Sequence, residues 1–435
     1  MYRCCSSEET LVRIVVINKI KKSNFLLAGT ALHASIIASK SMKPLTTPAD
    51  ASQLIEFSIP AAAEVTIELD KSFGKLLRRP VLADRNIPPF DRAMMDGIAI
   101  HSSTNRGALA VEAVQAAGSP ALTLLDTNAC LEVMTGAPIP VGCDCVVPIE
   151  EVTIENGQAK ISEKYAYAAG DFIHREASDH LAGDTMLEPG SVLGAAELAI
   201  AASCGACQLQ VSRTPQIHLI TTGDEVIPPA ATPEPFQIRS SHPIAILSAI
   251  DSGGLGSVTH THIADDEMAT REALHHSLAT ADILILTGGV SKGKFDYIAP
   301  LLNEIAGTAL FHGVSQRPGK PFAYFEKPIP IFALPGNPLS VMACLARYVL
   351  PALKLHLGIL KGVKSLPLSS PAPLHPKLTQ LLAGRIEDGK IYPSSPNNSG
   401  DYAALLGCHG VIEIPPSTTT SPANSLYNFY PWAQI

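Results

Sequence analysis

The sequence predicts a multidomain protein, part α/β and part β, on three observations. Between about 213 and 360, apolar strand-like runs alternate with helix-forming stretches. From about 65 to 180 the chain passes through short β-branched or apolar segments separated by turns. A proline-dense stretch, Leu366 to Pro376, then precedes short β-like runs that form a small C-terminal unit. A chain of 435 residues has room for two to four such units.

The first forty residues stand apart. A basic cluster, Lys19 to Lys22, precedes the apolar stretch Phe25 to Ala38, which is too short for a secure membrane span. Glu8 and Glu9 lie ahead of it and no small-x-small cleavage site follows, unlike a secretion signal. Residues 1–41 are read as an extension, non-native or disordered, with Met42 as the better start. In the β-rich stretch the expected strands are Glu64 to Leu69, Ala108 to Ala113, Cys145 to Ile149 and Ala159 to Ile161. Residues 192–204 favour a helix ending near Gly205. In the alternating section, strand-like Gln216 to Ile220, Val258 to Ile263 and Ile283 to Leu286 are followed by helical Pro243 to Ala249, Glu267 to Ala279 and Tyr297 to Ile305. That alternation implies a parallel sheet with crossover helices. Leu366 to Pro376 reads as a linker, because proline opposes both helix and central strand.

A formal net charge of −8 offers no basic footprint for nucleic acid or a membrane surface, so neither is expected as a partner. Nine cysteines without a framework spacing fit a reducing cytoplasm. Cys204 and Cys207 have redox or zinc spacing, but one pair supplies half a tetrahedral site, so both are expected to be buried structural thiols.

Four glycine-rich turns crowd between 221 and 340. They are Thr221-Thr222-Gly223-Asp224-Glu225, Thr287-Gly288-Gly289-Val290-Ser291, Arg317-Pro318-Gly319-Lys320-Pro321 and Leu334-Pro335-Gly336-Asn337-Pro338. Loops at the carboxyl ends of parallel strands gather on one edge, where ligands bind, so the four are expected to share a site. Gly288 and Gly289 let a backbone approach a ligand, and Ser291 adds a hydroxyl. Asp296 is either a cap of the next helix or a site carboxylate. Asn337 and Pro338 suit the start of a helix, Leu339 to Leu353, whose positive end lies beside Gly336 with Ser340 in the first turn. Arg317 and Lys320 are either a solvated pair or an oxyanion clamp. Glu225 in its Gly-Asp turn and the pair Asp265-Asp266 are ordinary turn and cap residues, yet they too fall at strand ends. Carboxylates beside an anion cradle suggest a Mg²⁺-assisted phosphate-ester or nucleotide site.

Outside that section lie Pro88-Pro89-Phe90-Asp91-Arg92-Ala93-Met94-Met95-Asp96-Gly97 and Met134-Thr135-Gly136-Ala137-Pro138-Ile139-Pro140. Periodicity alone makes these plain loop connections. Taken in order with Thr-Gly-Asp-Glu, Gly-Gly-Val-Ser-x-Gly-x-x-Asp-Tyr, Pro-Gly-Lys-Pro and Leu-Pro-Gly-Asn-Pro-x-Ser, they resemble the molybdopterin molybdenumtransferases (MoeA and the E-domain of gephyrin). The resemblance runs from about Met42 to the C-terminus.

The resemblance implies a discontinuous helical domain (42–65 and 180–212), an inserted β-rich module (66–179), a MogA-like three-layer α/β domain (213–362) and a small C-terminal β-domain (363–435). It implies a homodimer, and an enzyme that transfers molybdenum from molybdate to adenylylated molybdopterin with release of AMP, assisted by Mg²⁺. By motif, Arg317, Lys320 and Ser340 would hold molybdate, with Arg385 and Ser399 closing the pocket. Asp265 and Asp296 would hold the metal at the nucleotide end, with Glu225 nearby. Asp96, Thr135 and Asp179 would come from the β-rich module of the other subunit. A molybdopterin adenylyltransferase is an implied partner.

Some positions depart from the family pattern. Ile98 stands where tyrosine is common, Ser240 and His242 replace an acid and an amide, Ala177-Ser178-Asp179 replaces Gly-Glu-Asp, and Arg317 replaces a lysine. A degenerate copy acting as a scaffold and a molybdopterin adenylyltransferase are the rival readings. The latter lacks a use for the motifs at 88–97 and 134–140.

Overall fold

The computed structural model describes residues 45–105, 107–288, 298–359, 362–372, 374–418 and 421–432. Three six-stranded sheets dominate it. The central one carries the β–α alternation. Its strands run in the order Ser257–Ile263, Gln216–Thr222, Ile283–Thr287, Ile331–Leu334, Ala323–Phe325 and Phe311–His312. The first four are parallel to one another, and the last two turn antiparallel. Helices His242–Ser252, Glu267–Thr280 and Ile298–Ile305 cross between strands, as parallel neighbours require. Chain order reverses between Gln216–Thr222 and Ile283–Thr287, which makes a crevice at their carboxyl ends.

These strands are apolar on both faces because both are covered. Ile217, Leu219, Ile283 and Ile285 join one core with the long helix, while Ile220, Leu284 and Leu286 join a second with Leu274, Ile298 and Leu301. The long helix runs Pro338–Leu357, and by length and composition it could cross a membrane. Its apolar window is 78% buried inside the protein, however, so its hydropathy belongs to a core. Residues Leu345–Val349 within it form a π-turn.

The helix Pro48–Ser58, grouped by the sequence with residues 180–212, sits elsewhere. Thr47 caps it, accepting from the Asp50 amide at 3.1 Å. Ala51, Ile55 and Ile59, four residues apart on one face, enter the α/β core beside Leu353 and Tyr324. The strand Glu64–Glu68 pairs antiparallel with Gln208–Ser212, bringing together the two ends of the intervening chain. Cys204 is buried at the end of the helix Ala195–Ser203, whereas Cys207 is exposed, contrary to the expected pair of buried thiols.

Between those paired ends lies a second sheet, ordered Cys145–Pro148, Gly97–Ile100, Ala129–Val133, Leu109–Gln115, Gln158–Ile161 and Val152–Glu155. Gly97 is indispensable there. A Cβ on it would lie 2.0 Å from the Val147 carbonyl oxygen of the paired strand.

The third sheet is C-terminal, ordered Gln316–Arg317, Thr379–Glu387, Gly410–Ile414, Leu426–Pro431 and Lys364–Pro367, with Lys390–Pro393 also on Thr379–Glu387. The expected linker therefore begins inside an edge strand, where a proline is tolerated because one side of the strand needs no donor. Gln316–Arg317 belongs to this sheet rather than to the central one.

Gly97→Ala is expected to lower the thermal unfolding midpoint, since overpacking against fixed backbone costs about 1–3 kcal/mol. Scanning calorimetry checks this, and an unchanged midpoint would show that the Gly97–Ile100 and Cys145–Pro148 strands can separate freely.

Candidate functional site

Three of the four glycine turns meet at the crevice. Gly288 has φ +87°, and a Cβ there would lie 3.0 Å from the carbonyl oxygen and 3.1 Å from the hydroxyl of Thr222. A Cβ on Gly336 would touch the Gly288 Cα at 3.6 Å. At Gly288 the positive φ and these contacts disfavour any side chain, whereas at Gly336 a Cβ would make only an ordinary contact. The turns after Thr222, Thr287 and Leu334 therefore lie side by side on one edge. Gly289, Ser291 and Asp296, expected in the same loop, lie outside the described residues.

The fourth turn reaches the site by another route. It follows the Gln316–Arg317 strand of the C-terminal sheet, so it is not a strand end of the central sheet. Gly319 (φ +89°) instead presses on the long helix, where a Cβ would lie 2.6 Å from Cys344 Sγ and 3.7 Å from the Ser340 carbonyl oxygen. Arg317 and Lys320 are exposed and have no ion pair or hydrogen-bonded side-chain partner among the described residues. Ser340 is 4% exposed, and its hydroxyl likewise has no partner among them. The turn that carries these two cations, unpaired among the described residues, thus packs through Gly319 against the helix that carries Ser340.

That helix start is shared with the C-terminal unit. Ser399 accepts from the Leu339 amide through its carbonyl at 3.1 Å, and its hydroxyl accepts from Asn337 Nδ2 at 3.1 Å. Ser399 therefore lies at the start of the helix that carries Ser340. Arg385 is committed elsewhere in this subunit, bound to Glu387 at 2.6 Å with its guanidinium 5.4 Å from the Tyr392 ring centre.

Acids occupy the other end of the edge. Asp266, not Asp265, caps the helix Glu267–Thr280, accepting from the Ala269 amide at 2.7 Å. Asp265 is left to the crevice, its amide donating to Asp224 Oδ1 at 3.0 Å. The Glu225 carboxylate folds back over Gly223, so that a Cβ there would lie 2.7 Å from Oε2. Burial, then the charges of Asp224 and Glu225, hold the Asp265 carboxyl above the usual carboxylate range. Oxygen donors of this kind suit a hard divalent cation. No group of three potential ligands is gathered at metal-holding distance among the described residues. Asp224 was hidden in the sequence inside a common Gly-Asp turn.

The β-rich unit holds a separate cluster. Asp96 Oδ1 accepts from the Thr135 amide at 2.6 Å and its hydroxyl at 2.7 Å, and these bonds lower the Asp96 carboxyl. The two outlying motifs are thereby locked together. Arg92 Nη2 lies 3.1 Å from His174 Nδ1, so that nitrogen accepts and Nε2 carries the proton toward Asp179 Oδ1 at 3.0 Å. The His174 hydrogen bond lowers the Asp179 carboxyl. Sequence reading missed both Arg92 and His174. Asp96, Thr135 and Asp179 make no hydrogen bond or ion pair with residues 217–345 among the described residues.

Two family descriptions match the chain: the MoeA N-terminal region (domain I and II) over residues 46–205, and a probable molybdopterin binding domain over 218–355. A molybdopterin molybdenumtransferase of Synechocystis sp. is 35% identical over 394 residues, covering 88% of this chain and 99% of that protein. The chain belongs to the molybdopterin molybdenumtransferase family. A relative of the same name from Staphylococcus epidermidis is 29% identical over 381 residues, covering 83% of this chain and 90% of that one. The solved MoeA structure from Pyrococcus horikoshii shares the fold, with TM-score 0.78 and 23% identity over 90% of this chain and 100% of that one.

The departures from the family pattern now have places. Ile98 is fully buried in the β-rich core, so it is a packing residue here. Ser240 donates its amide to the Ile227 carbonyl at 2.8 Å, and burial lowers the pKa of His242 at the helix start that follows. Ala177, where glycine is usual, has φ +61°, a left-handed conformation that costs a side-chain-bearing residue about 1–2 kcal/mol.

Ala177→Gly should therefore raise stability by about 0.5–1 kcal/mol once glycine's extra unfolded-state entropy is deducted. Thermal melts test it, and a lower midpoint would contradict the left-handed strain. For Asp265, a raised folded-state pKa means that stability falls as pH climbs through it, since the folded state holds that proton more tightly. Asp265→Asn should melt above wild type at neutral pH without metal, the gap closing in acid. A gap that widens on acidification would reverse the assigned cause.

Proposed function

We propose that this chain transfers molybdenum from molybdate to adenylylated molybdopterin with release of AMP, in molybdenum-cofactor biosynthesis. The reading is supported by two groups of charges: Arg317 and Lys320, unpaired among the described residues, on the turn packed against the helix of Ser340, and Asp224, Glu225 and Asp265 at the strand ends of the central sheet. A tetrahedral dianion needs converging donors, which the two cations and the buried hydroxyl supply. Ser399 closes that pocket by its grip on Asn337, and Arg385 closes it if released from Glu387. By motif, Gly288, Gly289 and Ser291 are assigned as backbone and hydroxyl donors for the phosphates, and Gly288 lies beside Gly336 at the helix start.

Asp265 and Asp296, with Glu225 nearby, are the proposed holders of Mg²⁺. The crowding that raises Asp265 is the kind an adjacent cation relieves. When bound, the ion supplies charge neutralisation at the phosphate of the adenylyl group. The chain's own part is to hold both substrates in register, so that freed pterin dithiolate meets molybdate without diffusing away.

Asp96, Thr135 and Asp179 do not reach this edge within one chain, so we assign them to the crevice of a second subunit in a homodimer. A molybdopterin adenylyltransferase, which supplies the adenylylated substrate, is the proposed functional partner.

Purified protein given adenylylated molybdopterin, molybdate and Mg²⁺ is expected to release AMP in a molybdate-dependent manner. Lys320→Ala should lower that rate about a hundredfold, the usual loss on removing one preorganised charge-stabilising donor. Lys320→Ala mixed with Asp96→Asn should regain activity that neither variant has alone, because one crevice per mixed dimer is intact. Absence of molybdate-dependent AMP release from folded protein would sink the reading, and failed complementation alone would sink only the shared crevice.

A further inference from the structure

The proposed molybdate clamp has a buried support that no motif reveals. Gln316, immediately before Arg317, is 0% exposed, and so is buried Tyr348 on the long helix to within 2%. The Tyr348 hydroxyl donates to Gln316 Oε1 in a short hydrogen bond. Gln316 Nε2 then points to the Gly319 carbonyl at 3.4 Å and to Cys344 Sγ at 3.5 Å. The amide orientation follows from its neighbours, since the Gly319 carbonyl can only accept and the phenol can donate. Burial pushes the Tyr348 phenol well above its ordinary value, keeping it a neutral donor. Val314 and Phe322 donate their amides to the Lys320 and Gly319 carbonyls at 2.9 and 3.2 Å, closing the turn.

The π-turn at Leu345–Val349 explains how the helix reaches this position. Consecutive residues there reach two different strands of the C-terminal sheet: Arg347 meets Glu413, and Tyr348 meets Gln316. Such turns are frequent where a helix must aim side chains at a functional element.

We infer that Gln316 and Tyr348 are positioning residues for the oxyanion clamp, holding the Arg317–Lys320 turn against the Ser340 end of the long helix. They touch no substrate and act through the turn. This inference rests on the molybdate reading of the same turn.

The test uses the full chain, with Tyr348→Phe as the mild variant and Gln316→Leu as the stronger one. Loss of one buried hydrogen bond is worth about three- to tenfold in an equilibrium. Tyr348→Phe should raise KM for molybdate by that factor with KM for adenylylated molybdopterin near wild type, and should lower the melting midpoint modestly because Gln316 Oε1 loses its buried donor. In a Lys320→Ala background the Tyr348→Phe effect should vanish, because residues acting through one another are not additive. An unchanged molybdate KM in folded Tyr348→Phe, or a parallel rise in both KM values, overturns the inference. Calorimetric titration with molybdate alone separates it from the transfer reading. Binding by wild type that weakens in Tyr348→Phe and Gln316→Leu supports the positioning role even without AMP release, and equal binding by all three overturns it.

Discussion

Burying a guanidinium without a partner costs about 3–5 kcal/mol relative to the intact pair, and Arg347 is 8% exposed on the long helix. Its charge is met by Glu413, with Nε–Oε2 at 2.9 Å, and by Ser52 Oγ at 2.6 Å. Tyr430 donates its hydroxyl to the same carboxylate at 2.8 Å, and its ring centre lies 4.4 Å from the guanidinium. Three segments distant in sequence thus have to converge on one helix position. The helix Pro48–Ser58, the long helix that leaves the central sheet and the C-terminal sheet meet at this demand. Whether the pair adds net stability matters less than the geometry it imposes, because any rearrangement would leave a buried charge unpaired.

The candidate site inherits that geometry. The long helix begins at the crevice edge, where Ser399 of the C-terminal unit takes the Leu339 amide, and its π-turn lies beside Gln316. Turns from the central sheet arrive with glycines at φ values and separations that exclude a Cβ. The clamp turn arrives from the C-terminal sheet. The acids lie at strand ends of the central sheet and the cations on a turn of the C-terminal sheet. Arg317 and Lys320 have no ion-pair partner among the described residues, while Asp224 and Glu225 press on Asp265.

Hydrophobic alternation and helix caps made much of this architecture legible in the sequence. The expected strand Ile283 to Leu286 is observed to one residue further, as is the helix Glu267 to Ala279. Such patterns are local, since the periods of two and 3.6 residues follow from the backbone itself. Where a residue's role depends on a distant partner, the reading failed. The fourth turn was assigned to the central sheet because its own residues resemble the other three. Its strand pairs with Thr379 and Gln380, about sixty residues on by sequence number. That Pro48–Ser58 packs on the α/β core was likewise not readable, as an apolar face does not state which surface covers it.

The sequence by itself determined the element types, the four glycine turns and the family, because each is written in short-range spacing and order. Tertiary structure alone decided that Asp266 caps a helix while Asp265 faces the crevice, and that Asp96 is spent on Thr135. It also decided that three of the turns share an edge while the fourth, supported by Gln316 and Tyr348, belongs to the C-terminal sheet. The physical reason is that hydrogen-bond partners, burial and charge crowding act through space at about 3–4 Å. Chain order carries no record of those distances until the sheets are built.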